Sequence, residues 1–226
     1  MTIFSFLHSV KSVPKVSWSS KKALNLKPRF PTLTFLLLGL TLFGIGESIL
    51  IASGIGVSPW TVLAQGVSNY TNWSIGFSTF VLSVGVLLIW IPLKQKPGIG
   101  TILNALIIAL AIELSLPYLP QQDTYLMQTL QVIVGVILVG FGSGFYLIAN
   151  LGAGPRDGLM VGLQKISNRP ISQVRTALEI IVVTVGWLMG GVVGLGTLLF
   201  AIGVGPCVSL GFVLVTKISK PQVNSD

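Results

Sequence analysis

Long apolar stretches cover residues 33–53, 74–93, 99–116, 126–150, 172–190 and 197–216, separated by short polar segments. At about 1.5 Å rise per residue, each can cross roughly 30 Å of hydrocarbon as a helix. Six transmembrane helices are predicted. Two shorter segments, 59–69 and 155–165, each follow a glycine-rich loop and begin with a proline, which suits the first turn of a helix. Each reaches only about 17 Å as a helix, so neither crosses the bilayer.

The two short segments are copies of one motif. LGAGPRDGLMVG at Leu151 to Gly162 matches IGVSPWTVLAQG at Ile55 to Gly66, 96 residues earlier, with Gly56 and Pro59 opposite Gly152 and Pro155. The same ungapped offset pairs Gly39, Gly44 and Gly46 with Gly135, Gly140 and Gly142. It also pairs Gly98, Gly100 and Thr101 with Gly194, Gly196 and Thr197. Glycine and proline at irregular spacing do not align through apolar composition alone, so the chain reads as a duplicated unit.

Composition supports a membrane protein: 9% of residues are charged, 52% are hydrophobic, and the mean hydropathy is +0.86. The 14 basic residues then set the orientation. Lys11, Lys15, Lys21, Lys22, Lys27 and Arg29 lie in the N-terminal tail, where topology-setting and a mobile terminus are expected, and Lys217 and Lys220 lie at the C-terminus. Lys94, Lys96, Arg156, Lys165 and Arg169 fall in loops on the same side, while loops 54–73, 117–125 and 191–196 have no Lys or Arg. Six spans with both termini cytoplasmic place 13 of the 14 on one face, and Arg175 lies just inside the fifth span.

Three spans per unit is an odd number, so the second unit starts on the opposite face. The fold class expected is therefore an all-α membrane protein of six transmembrane helices, arranged as two inverted three-helix repeats, each with a short extra helix after its first span. Its parts are a basic tail (1–32), a first membrane repeat (33–120), a second (126–216) and a C-terminal tail (217–226). The short helices either dip into the membrane or lie on its surface. A dipping loop requires a cavity, because exposed backbone at membrane depth must be satisfied by protein or water.

Ionisable residues within spans are few and costly, at about 2.5–3.5 kcal/mol each near the bilayer centre. They are Glu47, Glu113, Arg175 and Glu179. Arg175 and Glu179 are four apart on one helical face and are expected to form a structural ion pair. Candidate substrate-binding residues are Glu47, Glu113, Gly152, Gly154, Arg156 and Asp157, with the glycine loops offering helix N-termini to an anionic group. The glycines of the first span in each unit point to close helix packing, and Trp60, Tyr70, Trp73, Tyr118 and Tyr125 to an interfacial belt.

GVSPW at Gly56 to Trp60, IPLKQKPGIGTILNA at Ile91 to Ala105, ANLGAGPRDGLMVGL at Ala149 to Leu163 and GVVGLGTLLFA at Gly191 to Ala201 resemble the bacterial YczE/YitT-like integral membrane proteins. The similarity covers residues 35 to about 215, and Thr61 stands where similar sequences often carry an acid. The resemblance implies a multi-pass protein of the bacterial cytoplasmic membrane, without fixing an activity.

The lone His8 and lone Cys207 exclude histidine and cysteine metal clusters and an intrachain disulfide, so no metal or cofactor is expected. No hydrolase or nucleotide-binding motif is present, and an enzyme is not expected, since it would need Glu47 and Glu113 to converge. The charge of +8 sits where topology places it, so a nucleic-acid partner is not needed. The partners expected are the lipid bilayer and an unidentified small-molecule substrate, with homo-oligomerisation left open. Two functions remain: a secondary transporter, for which inverted repeats are a common basis, or a non-transporting scaffold for another membrane or biosynthetic system. A polar cavity at mid-membrane would favour the first and a dry core the second.

Overall fold

A computed structural model describes residues 13–219; His8, Lys11 and Lys220 lie outside them. Eight α-helices are found among the described residues: α1 (Phe30–Ser53), α2 (Pro59–Thr71), α3 (Ile75–Trp90), α4 (Ile99–Ser115), α5 (Tyr125–Ala149), α6 (Pro155–Ser167), α7 (Ile171–Leu188) and α8 (Leu195–Ile218). A 3-10 turn, Leu116–Tyr118, extends α4. Five helices are long and apolar enough to cross a membrane: α1, α4 with its extension, α5, α7 and α8. A sixth span is reached by counting α2 and α3 together, and these two are bent by 111°. The segment 74–93, expected to span by itself, forms only the 16-residue α3 and counts as a span only together with α2, because its C-terminal end passes into turns around Pro92.

Local sequence sets these boundaries. Pro31, Pro59 and Pro155 each stand in the first turn of a helix, where their missing N–H removes no helical bond. Asn72, Asn150 and Asn168 end α2, α5 and α6 in the left-handed conformation that asparagine tolerates. Ser74 Oγ accepts a 3.1 Å hydrogen bond from the Phe77 N–H, capping α3.

α1 and α5 form the central crossing, where glycines remove the side chains that would hold the helices apart. A Cβ on Gly39 would stand 2.7 Å from the Gly142 carbonyl oxygen, and one on Gly46 would stand 2.8 Å from that of Gly135. α4 packs beside α1, and α8 packs beside α5. α2 lies against α7, and α6 lies against α3. The Trp90 ring of α3 covers Gly158 of α6, and Trp90 Nε1 donates to the Pro155 carbonyl at 2.9 Å. α3 runs along α4, whereas α7 and α8 scarcely touch.

The outer surface is apolar: Leu88, Leu110, Ile180 and Ile202 are all exposed. Such a surface fits a hydrocarbon surround better than water. Part of the basic N-terminal tail, however, is packed where a mobile segment was expected. Val16 and Trp18 are buried, Trp18 stacks on Phe35 at 4.5 Å, and Trp18 Nε1 donates to Ser219 Oγ at 2.9 Å. The Ser20 N–H donates to the Ala149 carbonyl at 3.0 Å, and Asn150 Nδ2 donates to the Ser20 carbonyl at 2.8 Å. Apolar Val16 and Trp18 among the lysines supply this anchor.

Candidate functional site

The glycine loops bring the two short helices to the interior. Gly56 and Gly152 have φ of +122° and +117°, a backbone region that side-chain-bearing residues rarely adopt. Each loop is then fixed by the start of a distant helix. The Gly196 N–H donates to the Ile55 carbonyl at 2.9 Å, and the Gly100 N–H donates to the Leu151 carbonyl at 2.7 Å. Thr101 Oγ1 adds a 2.7 Å bond to the Ala153 carbonyl while accepting the Gly98 N–H at 3.0 Å. Gly194 and Thr197 repeat that local bond at 3.4 Å.

As a result, the first turn of α2 is buried and that of α6 is buried except for the half-buried Arg156 and Asp157, while the C-terminal ends of both helices reach exposed positions. Between these starts lies a cavity of about 360 Å³, to which all eight helices contribute. The first turns of both short helices thus enter the bundle, and their C-terminal ends lie at its surface.

Arg156 and Asp157, in the first turn of α6, and Gly154 before it line the cavity. The Arg156 guanidinium sits over the Trp60 ring of α2, 5.4 Å from the ring centroid, in a cation–π arrangement. Tyr146 Oη donates to Asp157 Oδ2 at 2.9 Å, tying α5 to α6. Arg175 and Glu179 line one side, with Arg175 Nε donating to Glu179 Oε1 at 2.8 Å. The Arg175 side chain is 56% exposed, which limits such an i,i+4 pair to about 0.3–0.5 kcal/mol.

Glu47 is fully buried on α1, one layer behind the cavity wall. Its Oε2 accepts hydrogen bonds from Ser58 Oγ at 2.9 Å and Thr61 Oγ1 at 2.8 Å, and Ser58 itself lines the cavity. Glu47 Oε1 has no hydrogen-bond partner among the described residues. Glu113 belongs elsewhere: it is exposed on α4 with its carboxylate against Gly76, and it does not line the cavity. Glu47 and Glu113 therefore do not form a carboxylate pair in this arrangement. Gly152 shapes the loop without lining the cavity, and the remaining motif residues hold the loops as described.

Several lining residues were not singled out as site residues from the sequence: Ser58, Trp60, Tyr146, Ser143, Ser83 and Asn104. Its place beside an outer loop puts Trp60 in an interfacial belt by sequence, yet it is 8% exposed and its Nε1 lacks a partner among the described residues. The signal was present, since the 96-residue offset places Trp60 opposite Arg156 and Thr61 opposite Asp157.

An all-helical bundle with an apolar exterior and a cavity that carries a charged cluster on a largely apolar wall defines a multi-pass membrane protein. Residues 30–211 match the family described as "Family of unknown function (DUF6198)", and the chain belongs to it. It is 40% identical over 209 residues to a Haemophilus influenzae protein named "Uncharacterized protein", covering 92% of this chain and 95% of that one. It is also 31% identical over 193 residues to the Bacillus subtilis "Uncharacterized membrane protein YczE", covering 84% and 85% of the two chains. A second Bacillus subtilis protein, "Uncharacterized protein YyaS", is 29% identical over 168 residues, 72% of this chain and 83% of that one. The family expected from the sequence motifs is thus found, and no solved structure matches the chain.

Proposed function

We propose that this protein is a secondary transporter of a small molecule, built from two inverted three-span repeats that work by alternating access around the central cavity. The observation that carries the reading is the cavity itself: a space with a charged and hydrogen-bonding cluster on its wall, inside a bundle with an apolar exterior and at the meeting point of two interrupted segments. Transporters use that placement because helix starts and loop backbone can meet a solute only where a cavity satisfies them. A scaffold gains nothing from Arg156 and Asp157 lining such a space.

Contacts supporting inverted repeats come in mirrored pairs under the 96-residue offset. Gly39 meets Gly142 as Gly46 meets Gly135, and Gly44 meets Ala111 as Gly140 meets Cys207. The bond from Gly100 to Leu151 is mirrored by that from Gly196 to Ile55. One pair departs from this symmetry. Gly76 on α3 presses on Ala109 and Glu113 of α4, but their counterparts Gly205 and Ser209 on α8 stand apart from Ser172 on α7, and a Cβ on Gly205 would meet nothing within 4 Å. One closed and one open gate is the asymmetry that alternating access requires, with the two repeats exchanging conformations in the opposite state. The basic loops support a bacterial cytoplasmic-membrane orientation with both termini inside.

The test is a comparison of metabolite uptake and efflux in cells with and without the gene. A discrete set of solutes should change distribution, wild-type protein should restore it, and Gly205→Trp, which obstructs the open side of the cavity, should not restore it at equal protein level. Identical solute profiles in the two strains would contradict the proposal.

A further inference from the structure

The cavity has one strongly charged group whose hydrogen bonds are unspent. Of the four ionised side chains on its wall, Arg175 and Glu179 bond each other and Asp157 accepts from Tyr146. Glu47, behind the wall, accepts from Ser58 and Thr61 through Oε2, while its Oε1 has no partner among the described residues. Arg156 makes no hydrogen bond among the described residues; it sits over Trp60, in the field of the Glu47 and Asp157 carboxylates. A guanidinium has five N–H donors in a planar fork that matches a carboxylate.

Apart from those two carboxylates, each already accepting from hydroxyls, the groups around Arg156 are donors. Trp60 Nε1 is buried and unpartnered, and the first-turn N–H groups of Trp60, Arg156 and Asp157 have no carbonyl partner within their own helices. Both α2 and α6 therefore turn their positive ends toward the same space. The amide of Asn104 stands beside Gly154. Away from this cluster the wall is apolar, formed by residues such as Phe43, Ile108, Phe200 and Val204. A volume of about 360 Å³ lies near the lower end of small-molecule sites.

From this arrangement we infer that the solute is a small organic monoanion with an apolar body, its carboxylate held by Arg156 between the starts of α2 and α6. The inference rests on the cavity being the solute site and adds the chemical class of the solute. Trp60 fixes the guanidinium plane, and Phe43 and Phe200 meet the apolar part.

The test uses the purified full-length chain in detergent and follows its thermal unfolding. The probes are butyrate, hexanoate and phenylacetate, each beside the amine and the alcohol of matching carbon skeleton. At least one acid should raise the midpoint saturably, with the matching amine and alcohol at least tenfold weaker. Arg156→Gln should remove that protection, and Arg156→Lys should keep part of it, since an ammonium retains the charge but not the fork. The comparison among probes on the wild-type chain decides the matter even if a variant fails to fold. Protection by the amines, equal protection by the alcohols, or saturable protection by none of the acids overturns the assignment. None of those results alters the cell-based solute comparison, so failure of the anion class and failure of transport remain distinguishable.

Discussion

Gly142→Val is expected to leave almost no folded protein in the membrane. Gly142 and Gly39 face each other where α1 and α5 cross, and a Cβ at Gly142 would stand 2.7 Å from the Phe43 backbone nitrogen. Backbone cannot swing aside as a side-chain tip can. The helices would have to separate, losing the contacts that extend along the most closely packed pair in the protein. Overpacking typically costs 1–3 kcal/mol, and a branched side chain against backbone on this axis should reach about 3 kcal/mol or more. Gly85→Ala provides the opposite sign: its Cβ meets nothing within 4 Å on α3, so it should gain up to about 1 kcal/mol from helix propensity alone. Folded yield and thermal midpoint in detergent measure both, and a Gly142→Val protein as stable as wild type would remove the close crossing.

Replacing Glu47 by Ala should destabilise the protein well beyond replacement by Gln. The carboxylate accepts from Ser58 and Thr61, and Ser58 Oγ also lies 3.0 Å from Thr61 Oγ1 as a donor to it. With Ala, Ser58 can turn its single O–H to Thr61 Oγ1, but the Thr61 hydroxyl hydrogen loses its acceptor in a buried position. That costs about 1–3 kcal/mol, and the void left by the side chain adds to it. Glutamine keeps an acceptor oxygen of similar reach, so Glu47→Gln should stay within about 1 kcal/mol of wild type. Equal thermal midpoints for the two variants would show that the hydroxyl pair does not depend on this side chain.

Much of this architecture was legible because a bilayer leaves few choices. Backbone groups must be satisfied within each segment, so long apolar runs become helices, and prolines and asparagines mark where they start and stop. The repeated glycines could be paired by a fixed offset before any contact was known. Depth and azimuth were less legible. Sequence position put Glu47 and Glu113 near the same ends of their spans, but it could not show that Glu47 faces Ser58 while Glu113 turns outward. Arg156 meeting Trp60 depends on how far two loops carry their helices inward, and that is set by Gly100 and Gly196 on distant segments. The burial of Val16 and Trp18 was hidden by the lysines around them.

The most direct test asks whether one position in the cavity is reached from both sides of the membrane. Ser83 on α3 lines the cavity, and a Ser83→Cys variant with Cys207 replaced by Ala gives a single thiol there. Right-side-out and inside-out vesicles are then treated with the same membrane-impermeant thiol reagent. Alternating access predicts labelling in both preparations, faster from the side on which α7 and α8 stand apart. Labelling from only one side, however long the exposure, would contradict it.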